Sequence, residues 1–203
     1  VSLALAAVSF DASVGEMAMA LCNGARLVVV PREIGTDGAR LSALMDREDV
    51  TYMFATPSSF RLLIEAGWLG SPRLTVTCGG EAMTADLATA LSLRTKSVWN
   101  IYGPSETSIW VTRAAMSPVP ARVTIGRPML NTRVEVLDAL GEPAPIGVAG
   151  DVWIAGPNVG AGYIGRDDLT AHTFHPDPQS ASASGLRYRT GDNARWTWAG
   201  SLG

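Results

Sequence analysis

Four short apolar runs, "RLVVVP" (26–31), "VTYMFA" (50–55), "RLTVTC" (73–78) and "KSVWNI" (96–101), constrain this chain most. Each is rich in β-branched or aromatic residues, and each pair is separated by a stretch whose apolar residues recur at helical spacing. Continuous runs of this kind suit strands buried on both faces, and parallel neighbours need a crossover helix between them. The order predicts an α/β layered sheet with flanking helices.

Local signals place the helices. Val14, Met17 and Leu21 recur at helical spacing, and Ser13 with Glu16 makes the Ser-x-x-Glu pattern of a capping box, so a helix is expected from about Ser13 until "NGA" stops it. Further helices are expected near 38–48, from "PSSFRLLIEAG" with Pro57 in its first turn, and near 84–93. After about residue 115 the pattern changes to short alternating runs (Val134, Val136; Val152, Ile154) split by Gly and Pro, with almost no helical periodicity. This second part, 116–203, is expected to be a mainly β subdomain, a small antiparallel barrel or tightly bent sheet, following an α/β part at 1–115. "DPQSASASG" (177–185) reads as an exposed, mobile loop.

With 203 residues, 47% hydrophobic and 17% charged, the chain has enough apolar material for a sizeable core without disulfides or structural metal. Its net charge of −3 supplies no electrostatic reason for nucleic acid or an anionic membrane as partner. Cys22 lies on the helical pattern and is expected to be a small buried hydrophobe in a reducing compartment. His172 and His175 in "HTFH" have no third ligand pattern and read as surface histidines in a loop. No apolar run reaches the roughly eighteen residues of a membrane span, and the first residues lack a secretory pattern, so the chain reads as cytoplasmic. It begins in an apolar run without an initiator Met and ends at a turn, and so reads as a fragment.

Ligands of open α/β sheets bind beyond the carboxyl ends of the strands, which singles out "TCGGEA" (77–82), "NIYGPSE" (100–106) and the loop after "VTYMFATP". Gly79 and Gly80 let backbone approach a flat ligand, with Glu81 following. Asn100 offers an amide for a base edge, Tyr102 a stacking face, Ser105 a hydroxyl and Glu106 a carboxylate for a hard cation. The same stretch, taken without context, also suits a strand closing in a Pro turn capped by Ser and Glu. Asp11, before the first helix, suits either a local capping role or a ligand contact.

"NIYGPSE" resembles the Asn-x-Tyr-Gly-Pro-Thr-Glu motif of the adenylate-forming (AMP-binding) enzymes. "SFDASVGE" (9–16), "GDVWIAGPNVGAGYIGRDDLTAHTF" (150–174) and "YRTGD" (188–192) resemble, in the right order, further motifs of the amino-acid-activating adenylation domains of nonribosomal peptide synthetases. The resemblance covers essentially the whole chain. It implies ATP-dependent formation of an aminoacyl adenylate, which is then loaded onto the phosphopantetheine thiol of a carrier protein, with carrier-protein and condensation domains as neighbours. It implies that Asn100 pairs with adenine, Tyr102 and Gly103 lie against the ring, and Gly79, Gly80 and Glu81 line the same slot. Ser105 would contact the α-phosphate, Glu106 would bind Mg²⁺, and Asp192 would hold the ribose hydroxyls. Asp11 would pair with the substrate ammonium, and Ala12, Gly15, Phe54, Val76, Cys78, Ile101, Ile109 and Trp110 would line the side-chain pocket. None of these lining residues carries a charge or an amide, so a neutral, apolar amino acid is expected.

The chain departs from the family pattern at Ser105 (usually Thr), Asp151 (Glu), Ala161 (Arg) and Gly15 (often aromatic). The glycines of "GPNVGAGY" lack a Gly-Lys-Ser/Thr ending and a following helix, so they are expected to form turns of the β subdomain. The family's phosphate loop and its small carboxy-terminal domain with a catalytic Lys are not among these residues, so the piece is expected to be nearly inactive alone. An acyl- or aryl-CoA ligase of the same superfamily and a non-catalytic scaffold are the rival readings.

Overall fold

The computed structural model describes residues 1–119, 122–180 and 185–203. It divides into two compact units, one of Val1–Ile101 with Ala115–Val123 and the other of Tyr102–Ala114 with Thr124–Gly203.

In the first unit the elements run β1 (Ser2–Ala4), α1 (Ala12–Cys22), β2 (Leu27–Val29), α2 (Arg32–Gly35), α3 (Gly38–Arg47), β3 (Tyr52–Ala55), α4 (Pro57–Glu65), β4 (Ser71–Cys78), α5 (Ala85–Ser92) and β5 (Thr95–Tyr102). The strands lie in the order β2-β1-β3-β4-β5, all parallel. α4 begins as its sequence requires, with Pro57 in the first turn and the Thr56 side chain accepting the Ser59 N–H. Met53, Val76 and Val98 are in register across β3, β4 and β5, so their side chains share one face. That face packs with Leu41 and Leu44 of α3, Phe60 and Leu63 of α4, and Leu87 and Leu91 of α5 in one core.

α1 differs from expectation. It starts at Ala12 with Asp11 at the N-cap, so Ser13 lies inside the helix. Glu16 is 0% exposed and does not close a capping box. Its two carboxylate oxygens instead accept the backbone N–H groups of Leu5 and Ala6 at 3.0–3.3 Å. The helix buries its small residues Ala12, Gly15 and Ala20 along with Glu16, while Val14, Met17 and Leu21 are exposed. Cys22 is exposed as well, contrary to the buried position expected of it, while Cys78 is buried.

β6 (Thr112–Met116), of which only Thr112–Ala114 belong to the second unit, is paired antiparallel with β7 (Arg127–Pro128). Then follow β8 (Arg133–Leu137), β9 (Gly150–Ala155), α6 (Asp167–Thr173), β10 (Phe174–Pro176) and β11 (Leu186–Ala194). The last four strands form an antiparallel sheet in the order β10-β11-β9-β8. Val134 and Val136 of β8, Val152 and Ile154 of β9, Phe174 and Tyr188 turn to one face and make the unit's core. Trp153 turns the other way, with the Arg187 guanidinium 4.6 Å from its ring centre and the His175 ring centre at 5.0 Å.

α6 is a correction to the expected absence of helix after the glycine-rich segment, and it moves the two histidines out of a loop. His172 lies in α6, with acidic residues Asp167 and Asp168 in the first turn of that helix, and His175 lies in β10. Residues 181–184 of the expected exposed loop lie outside the described residues. At the start of that stretch, Asp177 is buried and accepts a 2.5 Å hydrogen bond from Arg133.

Candidate functional site

In the first unit the strand-end loops carry the expected residues. A Cβ on Gly79 would lie 2.6 Å from Ile101 Cγ1 and 2.7 Å from the Ile101 carbonyl oxygen, so backbone can meet backbone here only because the residue is glycine. Gly80 follows at φ +84°, a conformation other residues rarely adopt. The Glu81 carboxylate turns to the N-terminus of α4, where it accepts the Ser58 hydroxyl at 2.5 Å and the Ser58 N–H at 3.2 Å. These bonds join the loop after β4 to the first turn of α4. Asn100 is only 4% exposed, near the end of β5.

Register sorts the expected pocket residues. Phe54 pairs with Thr77 and Thr77 with Trp99, so Phe54, Thr77, Trp99 and Ile101 share the face opposite the Val76 and Cys78 side chains. The structure therefore brings Phe54 and Ile101 to one face but places Val76 and Cys78 in the helix-covered core, where burial pushes the Cys78 thiol up to about 12. Thr77, 7% exposed, occupies the Phe54 face and was missed by sequence reasoning. The alternation of β4, aligned to β3, is the signal that finds it. Burial, and then the charge of Glu16, hold the Tyr52 phenol above its ordinary value. Ala12 and Gly15 lie on the buried side of α1, and Asp11 is half-buried. The Asp11 side chain makes no capping hydrogen bond.

In the second unit two residues that are ninety apart in sequence meet: the Tyr102 hydroxyl donates to Asp192 Oδ2 at 2.5 Å. Burial first, then that bond, raise the Tyr102 phenol well above its usual value. Gly103 is fixed by crowding, since a Cβ there would lie 2.3 Å from the Ile109 carbonyl oxygen. Ser105 and Glu106 sit in a short 3₁₀ turn, Ser105–Thr107. Ser105 is exposed, and Glu106 is half-buried with Oε1 accepting the Tyr163 hydroxyl at 2.5 Å. Ser108 and Ile109 then take φ +59° and +78°. A β-branched residue there is strained by about 1–3 kcal/mol, of the kind that collects at binding sites.

Among the described residues no group of three or more His, Cys, Asp and Glu is arranged to hold a metal. A lone half-buried carboxylate such as Glu106 still fits Mg²⁺, a hard cation that takes one or two carboxylates and completes its shell with phosphate oxygens and water.

A family model described as "AMP-binding enzyme" matches residues 1–164. The chain belongs to the AMP-binding enzyme family. It is 38% identical over 204 residues to a dimodular nonribosomal peptide synthase of Bacillus subtilis, a match covering 98% of the chain and 8% of that protein. To the phosphinothricin tripeptide synthetase PhsB of Streptomyces viridochromogenes it is 40% identical over 199 residues, covering 96% of the chain and 17% of that protein. The chain thus spans less than a fifth of these relatives. Among solved structures it matches a four-domain nonribosomal peptide synthetase bound to AMP and glycine at TM-score 0.91 and 34% identity, over 99% of this chain and 15% of that one. It matches the N-terminal subdomain of Klebsiella oxytoca NpsA in complex with 3-hydroxybenzoyl-AMSN at TM-score 0.85 and 27% identity, over 99% of this chain and 52% of that one. The layered α/β fold is that of the family's large domain.

Proposed function

We infer that this AMP-binding chain is part of an amino-acid adenylation domain of a nonribosomal peptide synthetase. The intact protein joins a neutral, apolar amino acid to AMP. The substrate carboxylate oxygen bonds to the α-phosphorus of ATP as the bond to pyrophosphate breaks. A carrier-protein phosphopantetheine thiol then takes the acyl group, and AMP leaves.

The observation that carries the choice of an amino acid is Asp11. It stands at the N-cap of an eleven-residue helix without using its side chain to cap it. A half-buried carboxylate not engaged as a cap suits an ammonium group, which needs a charged partner once desolvated. The NpsA complex, with its 3-hydroxybenzoyl ligand, favours as a second reading an aryl acid, for which such a carboxylate would be unfavourable.

Roles follow for this chain's residues. Asn100 reads the adenine amino group, and Tyr102 and Gly103 lie against the ring. Gly79 and Gly80 line the adenine slot, and Glu81 braces that loop through its bond to Ser58. Asp192 holds the ribose hydroxyls, Ser105 contacts the α-phosphate, and Glu106 holds Mg²⁺. The cation, when bound, offsets the negative charge gathered around the α-phosphorus. Phe54, Ile101, Ile109, Trp110, Ala12 and Gly15 line the side-chain pocket, with Thr77 in place of Val76 and Cys78. An unpartnered charge or amide there would cost roughly several kcal/mol, which favours an apolar substrate.

The relatives, several times longer than this chain, support carrier and condensation domains as partners in a larger polypeptide. Among the described residues no helix is long and apolar enough to cross a membrane, which is compatible with a cytoplasmic synthetase. The test is ATP–pyrophosphate exchange by the full-length protein carrying Glu106→Gln. Exchange should fall about a hundredfold or more with the fold retained, the scale of losing one transition-state electrostatic contact, and unchanged exchange would remove Glu106 from the reaction.

A further inference from the structure

The segment 156–163, which reads in sequence as turns of a β subdomain, is bonded to the turn that carries Glu106. Four hydrogen bonds join them: Gly160 N–H to the Glu106 carbonyl at 2.8 Å, Asn158 Nδ2 to the Thr107 carbonyl at 3.0 Å, Ser108 Oγ to the Asn158 carbonyl at 2.9 Å, and Tyr163 hydroxyl to Glu106 Oε1 at 2.5 Å. Three hold the backbone or a neighbour, and the fourth holds the carboxylate itself. Its length is that of a charge-assisted O–H···O⁻ bond.

Tyr163 is held in its turn. Its N–H donates to Thr170 Oγ1 of α6 at 2.8 Å, and Gly162 before it, at φ +129°, leaves no room for a Cβ, which would lie 2.4 Å from Thr170 Cγ2. The Tyr163 ring meets Phe174 edge-on at 5.5 Å, and Phe174 meets Tyr188 at 5.1 Å. The Tyr163 ring is thus held at backbone and edge with its hydroxyl oxygen against Glu106 Oε1.

We propose that Tyr163 is a positioning residue for Glu106: by donating to Oε1 it fixes the carboxylate's rotation, while Asn158 and Gly160 fix the turn, so that the carboxylate meets the nucleotide-bound cation already oriented. The inference rests on the reading that Glu106 holds Mg²⁺. Groups that orient a metal-binding carboxylate matter to the metal and little to a substrate bound elsewhere.

The experiment uses the full-length protein with Mn²⁺ as probe, following loss of the free-Mn²⁺ electron paramagnetic resonance signal in the presence of ATP. Melting temperature and amino-acid KM are read on the same samples. Tyr163→Phe keeps the ring against Phe174 and removes only the hydroxyl. It should weaken Mn²⁺ binding by about tenfold or more, the scale of losing an orienting partner, with the melting temperature and amino-acid KM close to wild type. Asn158→Ala should weaken it in the same direction and serves as the test if Tyr163→Phe does not fold. If both bind Mn²⁺ as wild type does while Glu106→Gln does not, the positioning role is wrong and the Glu106 reading stands. If Glu106→Gln itself binds Mn²⁺ normally, the metal reading fails and the positioning role with it.

Discussion

The Tyr102 hydroxyl donates to the Asp192 carboxylate at 2.5 Å, within the second unit, where β11 bulges. One residue is expected to stack on adenine and the other to hold the ribose, so a single bond ties the two nucleoside contacts together. Tyr102→Phe keeps the stacking ring but releases Asp192. AMP affinity, measured by calorimetry on the full-length protein, should fall by about 1 kcal/mol, roughly fivefold, for loss of one hydrogen bond. Asp192→Ala should cost more, and the double variant should cost less than the sum of the two, as expected for groups in contact.

Asp11 is expected to act on the amino acid alone. Asp11→Ala should raise the amino-acid KM by about tenfold to a hundredfold, the worth of a hydrogen bond to a charged group, and leave the ATP KM within about twofold. Equal losses for both substrates in exchange kinetics would mean that Asp11 shapes the start of α1 and does not bind substrate.

Glu16 should give the fold a pH dependence of unusual sign. Burial, against the weaker opposing effect of the Leu5 and Ala6 N–H groups, holds its folded pKa above 4.5. Between 4.5 and that raised value the folded state binds more protons than the unfolded state, so the stability contributed by this site falls as pH rises through the window. Glu16→Gln cannot titrate. Urea unfolding of both proteins between pH 4 and 8 should show the wild type losing stability relative to the variant as pH rises, and parallel curves would contradict the burial of Glu16 in solution.

The two cysteines should differ in reactivity. Cys22 is exposed, whereas the Cys78 thiol is buried and held near 12 by desolvation, then by Glu81. Brief iodoacetamide treatment of native protein at pH 7.5, followed by peptide mapping, should label Cys22 and spare Cys78, with both labelled after denaturation. Rapid native labelling of Cys78 would place it in an open pocket.

Much of the layered α/β fold was legible because β-branched runs and helix stops are local signals. β3, β4 and β5 fall where "VTYMFA", "RLTVTC" and "KSVWNI" place them. α1 lies where its spacing predicts, at Ala12–Cys22, but spacing identifies a helical stripe and not the side that is buried. Here close packing selected Ala12, Gly15 and Ala20 over the larger Val14, Met17 and Leu21. Glu16 matched a capping pattern, yet its partners are the backbone of Leu5 and Ala6, a contact that depends on where the loop after β1 runs. The residues proposed to hold adenosine come from motif resemblance, but the face of β4 that holds Thr77 needed strand register. The Tyr163–Glu106 bond spans 57 residues, and no local pattern marks it.

The most direct measurement is ATP–pyrophosphate exchange by the full-length protein across the proteinogenic amino acids, with benzoic and fatty acids alongside. Exchange is predicted with one or a few neutral, apolar amino acids and to be lost in Asp11→Ala. Exchange confined to acids lacking an α-amino group, or none with any amino acid, would contradict the amino-acid assignment.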